Sequence, residues 1–441
     1  MNVEDQTMNS QQQQAPAQSL PQSMRFGIGS KRSTAARMQH LNFQPYNGGS
    51  FQPDSNNEIR IQVQGPGFID VSKHVLRLTV TAVTANVAAK IDYSLASLFD
   101  QVRIESNGTV LERIDRYGLI DNVKSMYNDS VTELKNKSAM TLGPDFAATT
   151  MASGGKAFAA ATGGSLTGCL RIRSGLLQSK HGHALPLGSP PLEIILRLNP
   201  ANACLLGVTG GTPGTLTSLT VSNVSFLCPM YQIESESIMA QYRQVLQSSP
   251  LTICGETYKT YVNALVASGV NQTLQINDKS RSLKGLVSCV RSSTAATTYI
   301  APSNSEFTID KISKYTYMIG GTQMPPGGIS VSDTNAAEAM DMAQKALAPY
   351  NHIRGSGMVG LAAFIEANGT TGDGGKGVLA VDLKKFSDSE RCFIGIDTAS
   401  SAQPMTVEFE CAADVAAGDV TTIAICEAEY VLQGGRWGVS V

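Results

Sequence analysis

A chain of 441 residues is long enough for two or three ordinary domains and a large core. Its formal net charge of -2 excludes a chain whose main task is to wrap nucleic acid, which needs a basic excess. Only 16% of residues are charged, below the roughly 25% of an average soluble domain; either much of the surface meets partners, or the small-residue turns of a β-rich fold dilute the charge.

Residues 1–50 differ from the rest. NSQQQQAPAQSLPQ is low-complexity and predicts no core of its own. Residues 24–40 carry Arg25, Lys31, Arg32 and Arg37 without an acid. With Phe26, Ile28, Met38, Leu41, Phe43 and Tyr46 to bury, this segment reads as an extended arm that docks on a neighbouring subunit or touches nucleic acid; a solvated tail is the alternative. The polar opening MNVEDQTMNSQQQQ is not a signal peptide, and no apolar run reaches membrane-spanning length. The sequons at Asn107, Asn128, Asn136, Asn223, Asn271 and Asn368 are therefore expected to stay unused.

From residue 55 strands dominate. EIRIQV and HVLRLTVTAV alternate apolar and polar residues. In SLFDQVRIESNGTVLERIDRYG, two runs flank Asn107-Gly108, a hairpin signal because both central residues of a type I′ turn need positive φ. YGLIDNVKSMYNDSV predicts a short helix, and residues 140–164 a long loop. Strands follow at 165–177, 191–198 and 216–231. Then Ile238, Met239, Tyr242, Val245 and Leu246 recur at helical spacing, with Ser235 as N-cap and Pro250 as stop. Beyond this linking helix come YKTYVNALV, QTLQI, SLKGLVSCVRS, EFTIDKISKYTYMI, MVGLAAFIEA, KGVLAVDL, MTVEFEC and VTTIAICEAEYVL, all read as strands. One helix, TNAAEAMDMAQKALAPY, interrupts them, capped by Asp333 or Thr334 and ended by Pro349. Two halves of about eight strands each match the count of a jelly roll, two Greek keys in two sheets.

Catalytic patterns fail one by one. GSGMVG, with Gly355, Gly357 and Gly360, matches GxGxxG but lacks the strand before and helix after that a dinucleotide site needs. In GTTGDGGKGV, Thr370 and Gly377 stand where a phosphate-binding loop needs Gly and Ser/Thr. His181 and His183 have no third metal ligand nearby, and five histidines leave few general bases. Asp92, Asp100, Asp115 and Asp121 read as turn and surface residues. The eight cysteines, Cys169, Cys204, Cys228, Cys254, Cys289, Cys392, Cys411 and Cys426, form no CxxC and sit mostly in apolar runs, which predicts reduced thiols and folding inside a cell. No catalytic residue, metal ligand or cofactor is expected.

Several longer stretches are similar to one family. DYSLASLFDQVRIESNGTVLERIDRYGLI resembles its strand pair followed by a Tyr-bearing helix. LPLGSPPLEIILRLN resembles a late strand of its first roll, and YTYMIGGTQMPPGGI the proline turn that leads into an inserted helix. The tail LAVDLKKFSDSERCFIGIDTASSAQPMTVEFE, with the strands after it, is the closest match. The family is the double jelly-roll major capsid proteins of tailless icosahedral DNA viruses, of the Polinton-like virus, virophage, adenovirus and giant-virus type.

The resemblance implies an all-β fold: two tandem eight-stranded antiparallel jelly rolls with a few short helices and an extended N-terminal arm. It divides the chain into an arm at 1–50, a first roll at 51–233, a linking helix at 234–250 and a second roll at 251–441. It implies a homotrimer that tiles a virion shell as a pseudo-hexamer. Trimers would then contact one another and penton or minor capsid proteins. A weak contact of the arm, at Arg25, Lys31, Arg32 and Arg37, with genome or inner membrane is also expected, as is synthesis in the host cell interior without secretion. Two alternatives stay open: a minor jelly-roll capsid or spike protein, and a β-sandwich hydrolase or carbohydrate-binding protein. The single tryptophan, Trp437, leaves the last short of stacking platforms.

Overall fold

Alternation builds the strands as expected. In Glu58–Val63 the side chains of Ile59, Ile61 and Val63 are buried while Glu58, Arg60 and Gln62 face outward; in Met405–Cys411, Met405, Val407, Phe409 and Cys411 are buried and Glu408 and Glu410 are exposed. The computed structural model describes residues 36–441 apart from 66, 85–88, 144–156, 159–163, 179–183, 187–189, 208–215, 235–249 (of which 236, 240 and 244 are described), 268–270, 293–303, 310, 332–335, 348–374 (of which 359 and 364 are described), 386–392, 401–403 and 413–414.

The Asn-Gly hairpin forms between Phe99–Ser106 and Thr109–Asp115, with φ of 48 at Asn107 and 77 at Gly108. It belongs to a four-stranded sheet ordered Glu58–Val63, Leu192–Leu198, Phe99–Ser106, Thr109–Asp115. The facing sheet runs Ala36–Phe43, Leu216–Ile233, Val75–Thr84, Gly164–Leu170, with shorter strands at its margins. Beyond residue 250 the sheets are Leu251–Leu265, Gly418–Gln433, Leu283–Ser292, Leu379–Asp382 and Asn271–Ile276, Met405–Cys411, Ile312–Ile319, Thr322–Ser330. Number the eight principal strands of each half in chain order. Both halves then have one sheet ordered 1-8-3-6 and one ordered 2-7-4-5. This shared crossing pattern is a structural repeat that no residue-level repeat announces, and it makes each half a jelly roll. Every pairing among the described residues is antiparallel, and none joins a strand before residue 234 to one after 250.

Strand 1 of the first half, Ala36–Phe43, lies within the segment read as arm. It pairs with Phe226–Ile233, and Leu41 and Phe43 pack on the core. The helix Tyr117–Asn128 appears where expected. A second helix, Val131–Thr141, was not anticipated; its Ser130 and Glu133 form a reciprocal capping box. Ala337–Leu347 is the inserted helix of the second half. Of the linking helix, Glu236, Ala240 and Gln244 are helical, Glu234 and Pro250 are not, and the other residues lie outside the described set. So does most of MVGLAAFIEA, read as a strand, although Phe364 within it is helical. Among the described residues no helix is long and apolar enough to cross a membrane.

Two expectations need correction. Cys254 is disulfide-bonded, whereas Cys169, Cys204, Cys228, Cys289, Cys411 and Cys426 are free thiols. Local spacing does not reveal a bridge that folding alone brings together. Asp92 and Asp121 are buried rather than surface residues. Both serve contacts described below, which require sequence-distant partners.

Candidate assembly surfaces and the joint between the rolls

The apolar core runs unbroken through both halves, and a polar joint crosses between them. Its centre is the helix Tyr117–Asn128, in which every residue from Tyr117 to Tyr127 is buried. A helix buried all round must satisfy its polar side chains inside the protein, and from Asp121 to Tyr127 this one finds partners on both rolls. Asp121 accepts from Arg173 Nε at 2.9 Å. Asn122 donates to Ser97 Oγ at 2.8 Å and to the Asn304 carbonyl at 3.3 Å, the latter across the joint. Tyr127 donates to the Lys376 carbonyl at 2.8 Å, also across it. Lys124 Nζ reaches the Leu347 carbonyl at 3.0 Å and Glu256 Oε1 at 2.7 Å.

Glu256 sits between two cations, Lys124 from the first half and Lys284 from the second, and also accepts from Tyr258. Burial pushes its carboxyl pKa up, but the two ammonium groups outweigh this and hold it well below the ordinary carboxylate range. Burial pushes Lys124 down to about 8, against the pull of Glu256. Asp92 forms a second clasp, accepting from the Asn304 amide at 2.8 Å and Ser305 Oγ at 2.6 Å, while Asn304 donates back to the Ala203 carbonyl at 2.8 Å. Nearby, Gly175 and Gly255 bring the two backbones into contact; a Cβ on Gly255 would run into the Gly175 carbonyl. Glu112 closes this region by accepting from Ser174 Oγ and from the Gly175 amide at 2.9 Å.

The outer face of the first roll's four-stranded sheet carries a ladder of ion pairs. Arg60 bonds Glu58 at 2.7 Å and Glu193 at 3.5 Å; Arg103 bonds Glu105 at 2.8 Å; Tyr46 donates to Glu193. Ile195, in register with Arg60 and Arg103, lies on this face yet is only 1% exposed. Isolated apolar side chains are exposed at Met38 (53%), Val262 (49%) and Val266 (64%). A cleft of about 860 Å³ opens along the seam of the rolls. Four arginines and four aspartates line it, with Arg113–Asp115 and Arg291–Asp419 paired, so these side chains carry no net charge.

Of the basic residues singled out in the sequence, Arg25, Lys31 and Arg32 lie outside the described residues. Arg37 is exposed on strand Ala36–Phe43, in register with Gln232. His181, His183, Gly355, Gly357, Gly360 and Thr370 also fall outside. Among the described residues no group of three or more His, Cys, Asp or Glu is placed to hold a metal ion. Of the joint residues, Lys124, Glu256 and Lys284 escaped sequence reasoning, and Asp92 was read as a turn or surface residue. Their signal was a charge inside an otherwise apolar run, as in GLIDNVKSMY and SLKGLVSCV.

No protein-family model matches the chain, and no curated protein matches it in sequence. Its architecture, in contrast, is that of solved double jelly-roll proteins. The PBCV-1 virus capsid subunit matches with a TM-score of 0.58 at 11% identity, over 94% of this chain and 99% of that one. The Faustovirus major capsid protein matches at 0.59 and 10%, over 93% of each chain. A chain of the Sputnik virophage matches at 0.57 and 12%, over 96% of this chain and 92% of that one. At such identities the likeness is one of fold. It covers both rolls together and not one sandwich alone.

Proposed function

We propose that this chain is a major capsid protein, a double jelly-roll subunit that assembles as a homotrimer and tiles the shell of an icosahedral DNA virus. The supporting observations are the match over almost the whole length of solved capsid subunits and the strand order that this chain repeats in its two rolls. Three chains with two like sandwiches each give six similar bricks, the basis of a pseudo-hexagonal block. A shell unit must also resist bending between its rolls, and the buried joint and shared core supply that stiffness. Obligate interfaces bury roughly 2,000–5,000 Å², so the trimer is permanent and contacts between trimers are smaller.

Light scattering on the purified chain tests this reading: a particle of about three times 46.7 kDa is expected, and a stable species of 46.7 kDa at all concentrations overturns it.

We further propose the division into an arm at 1–50, a first roll at 51–233, a linking helix at 234–250 and a second roll at 251–441. Strand Ala36–Phe43 anchors the end of the arm to the first roll. Arg25, Lys31, Arg32 and Arg37 of the arm contact a neighbouring subunit, the genome or an inner membrane, and penton or minor capsid proteins complete the shell. Near-neutral overall charge favours a wall that encloses the genome without condensing it. Deleting residues 1–35, which spares the paired strand, should leave the trimer intact but impair assembly or packaging. Normal particles from that deletion refute the role of the arm.

A further inference from the structure

The sequence contains three Asn-Gly pairs, at Asn47, Asn107 and Asn368. The last lies outside the described residues. The other two differ in one respect that decides their chemistry. Asn47 is clamped: its Nδ2 donates to the Glu58 carbonyl at 2.7 Å and its Oδ1 accepts from the Arg60 amide at 3.0 Å. A Cβ on Gly48 would meet Asn56 and Phe51. Asn107 stands at the tip of the hairpin, exposed, with no hydrogen bond to its side chain among the described residues, and a Cβ on Gly108 would meet nothing within 4 Å. Both flanking strand ends hold the turn through Ser106 and Thr109, and among the described residues no atom would touch a Cβ at Gly108.

We propose that Asn107-Gly108 is a self-modification site of the folded protein, and that Asn47-Gly48 is not. The Gly108 backbone nitrogen, having lost its proton to solvent base, attacks Cγ of Asn107. A C–N bond forms, the Cγ–Nδ2 bond breaks, and ammonia leaves with a proton from water. Water then opens the resulting five-membered imide at one of its two carbonyls, giving aspartate or isoaspartate. No oxidant, reductant or cofactor enters. Glycine favours the attack because it lacks the Cβ that would crowd the approaching amide and lets the turn flex. The aspartyl product keeps the turn, since Asp is accepted at left-handed positions. The isoaspartyl product inserts an extra methylene into the main chain of a two-residue turn and loosens the Ser106–Thr109 closure. Either product adds one negative charge to the hairpin tip, so the folded chain records its age there. The proposal concerns the chain itself and stands whether or not the shell reading does.

The test is a time course on the purified full-length chain in mildly alkaline buffer, with peptide mapping by mass spectrometry and enzymatic labelling of isoaspartate. A parallel sample in denaturing urea gives the rate of each pair without structure. In urea the Asn47 and Asn107 peptides should convert at similar rates. In the folded chain Asn107 should convert at least on the order of tenfold faster than Asn47, the factor set by the two hydrogen bonds that Asn47 must first release. Conversion at Asn107 no faster than at Asn47 in the folded chain overturns the proposal. An N107D variant, which presents the aspartyl product directly, should remain folded and show no further change in mass at this peptide.

Discussion

His74 shows how one buried side chain ties stability to pH. It is fully buried and stacked on Phe226 at 5.4 Å. The Ile172 amide donates to its Nε2 at 2.7 Å, so Nε2 carries the lone pair and Nδ1 carries the proton, donated to the Val71 carbonyl. A second proton would set two donors against each other in a dry site. Burial accordingly pushes the imidazole down from 6.5 to about 4. Between those values the unfolded chain binds a proton that the folded chain refuses. The contribution of His74 is therefore complete above pH 6.5 and falls as the pH drops toward 4, by on the order of 3 kcal/mol in all. Urea midpoints measured across this range should decline in the parent and stay flatter in His74→Gln, once both are referred to their values at pH 7. Composition gave no warning of this: a lone histidine before a strand carries no sign of its depth. The same holds for Asp92 and Asp121, whose partners Asn304 and Arg173 are far away in sequence.

At the level of elements, legibility followed the local or non-local origin of the signal. Strands such as Glu58–Val63 and Met405–Cys411 could be read because alternation is local, and the hairpin because positive φ at two adjacent residues demands Asn-Gly. The helix Val131–Thr141 was legible in principle from Ser130 and Glu133, three residues apart. Ser130→Ala should cost about 1 kcal/mol, read as a shift in the thermal midpoint. Strand Ala36–Phe43 was hidden because it borrows its register from Phe226–Ile233, nearly two hundred residues on. The contact of Gly175 with Gly255 belongs to the same class: Gly175 lies in a stretch read simply as a strand, and only the docked rolls require both glycines. A methyl at Gly255 must push apart two backbones, neither of which can yield as a flexible side chain would. Gly255→Ala should destabilise by roughly 2–4 kcal/mol and increase protease sensitivity at the joint, whereas an alanine at the exposed Gly49, where no atom lies within 4 Å, should not.

For the whole molecule, the decisive question is whether the two rolls behave as one body. The repeated 1-8-3-6 and 2-7-4-5 sheets explain each roll separately. What unites them is the common apolar core and the Lys124–Glu256–Lys284 triad, with Glu256 retaining 23% exposure of its side chain and the lysines 4–5%. Removing the anion takes away the counter-charge that two buried lysines share. Glu256→Gln is therefore expected to cost about 3–5 kcal/mol, the range for breaking a buried pair from one side. Replacing all three residues by apolar ones of similar volume should recover most of that loss, because the cost of desolvating the charges disappears with them. The carboxyl is held below its unfolded value, so its stabilisation is complete above about pH 4.5 and drains away as acid brings the folded carboxyl to protonation. Calorimetry of the parent should show one cooperative transition at neutral pH. Glu256→Gln should split it into separate meltings of the two rolls and lose the part of the acid sensitivity that lies below pH 4.5. A single unshifted transition in Glu256→Gln would mean that the apolar core alone couples the rolls.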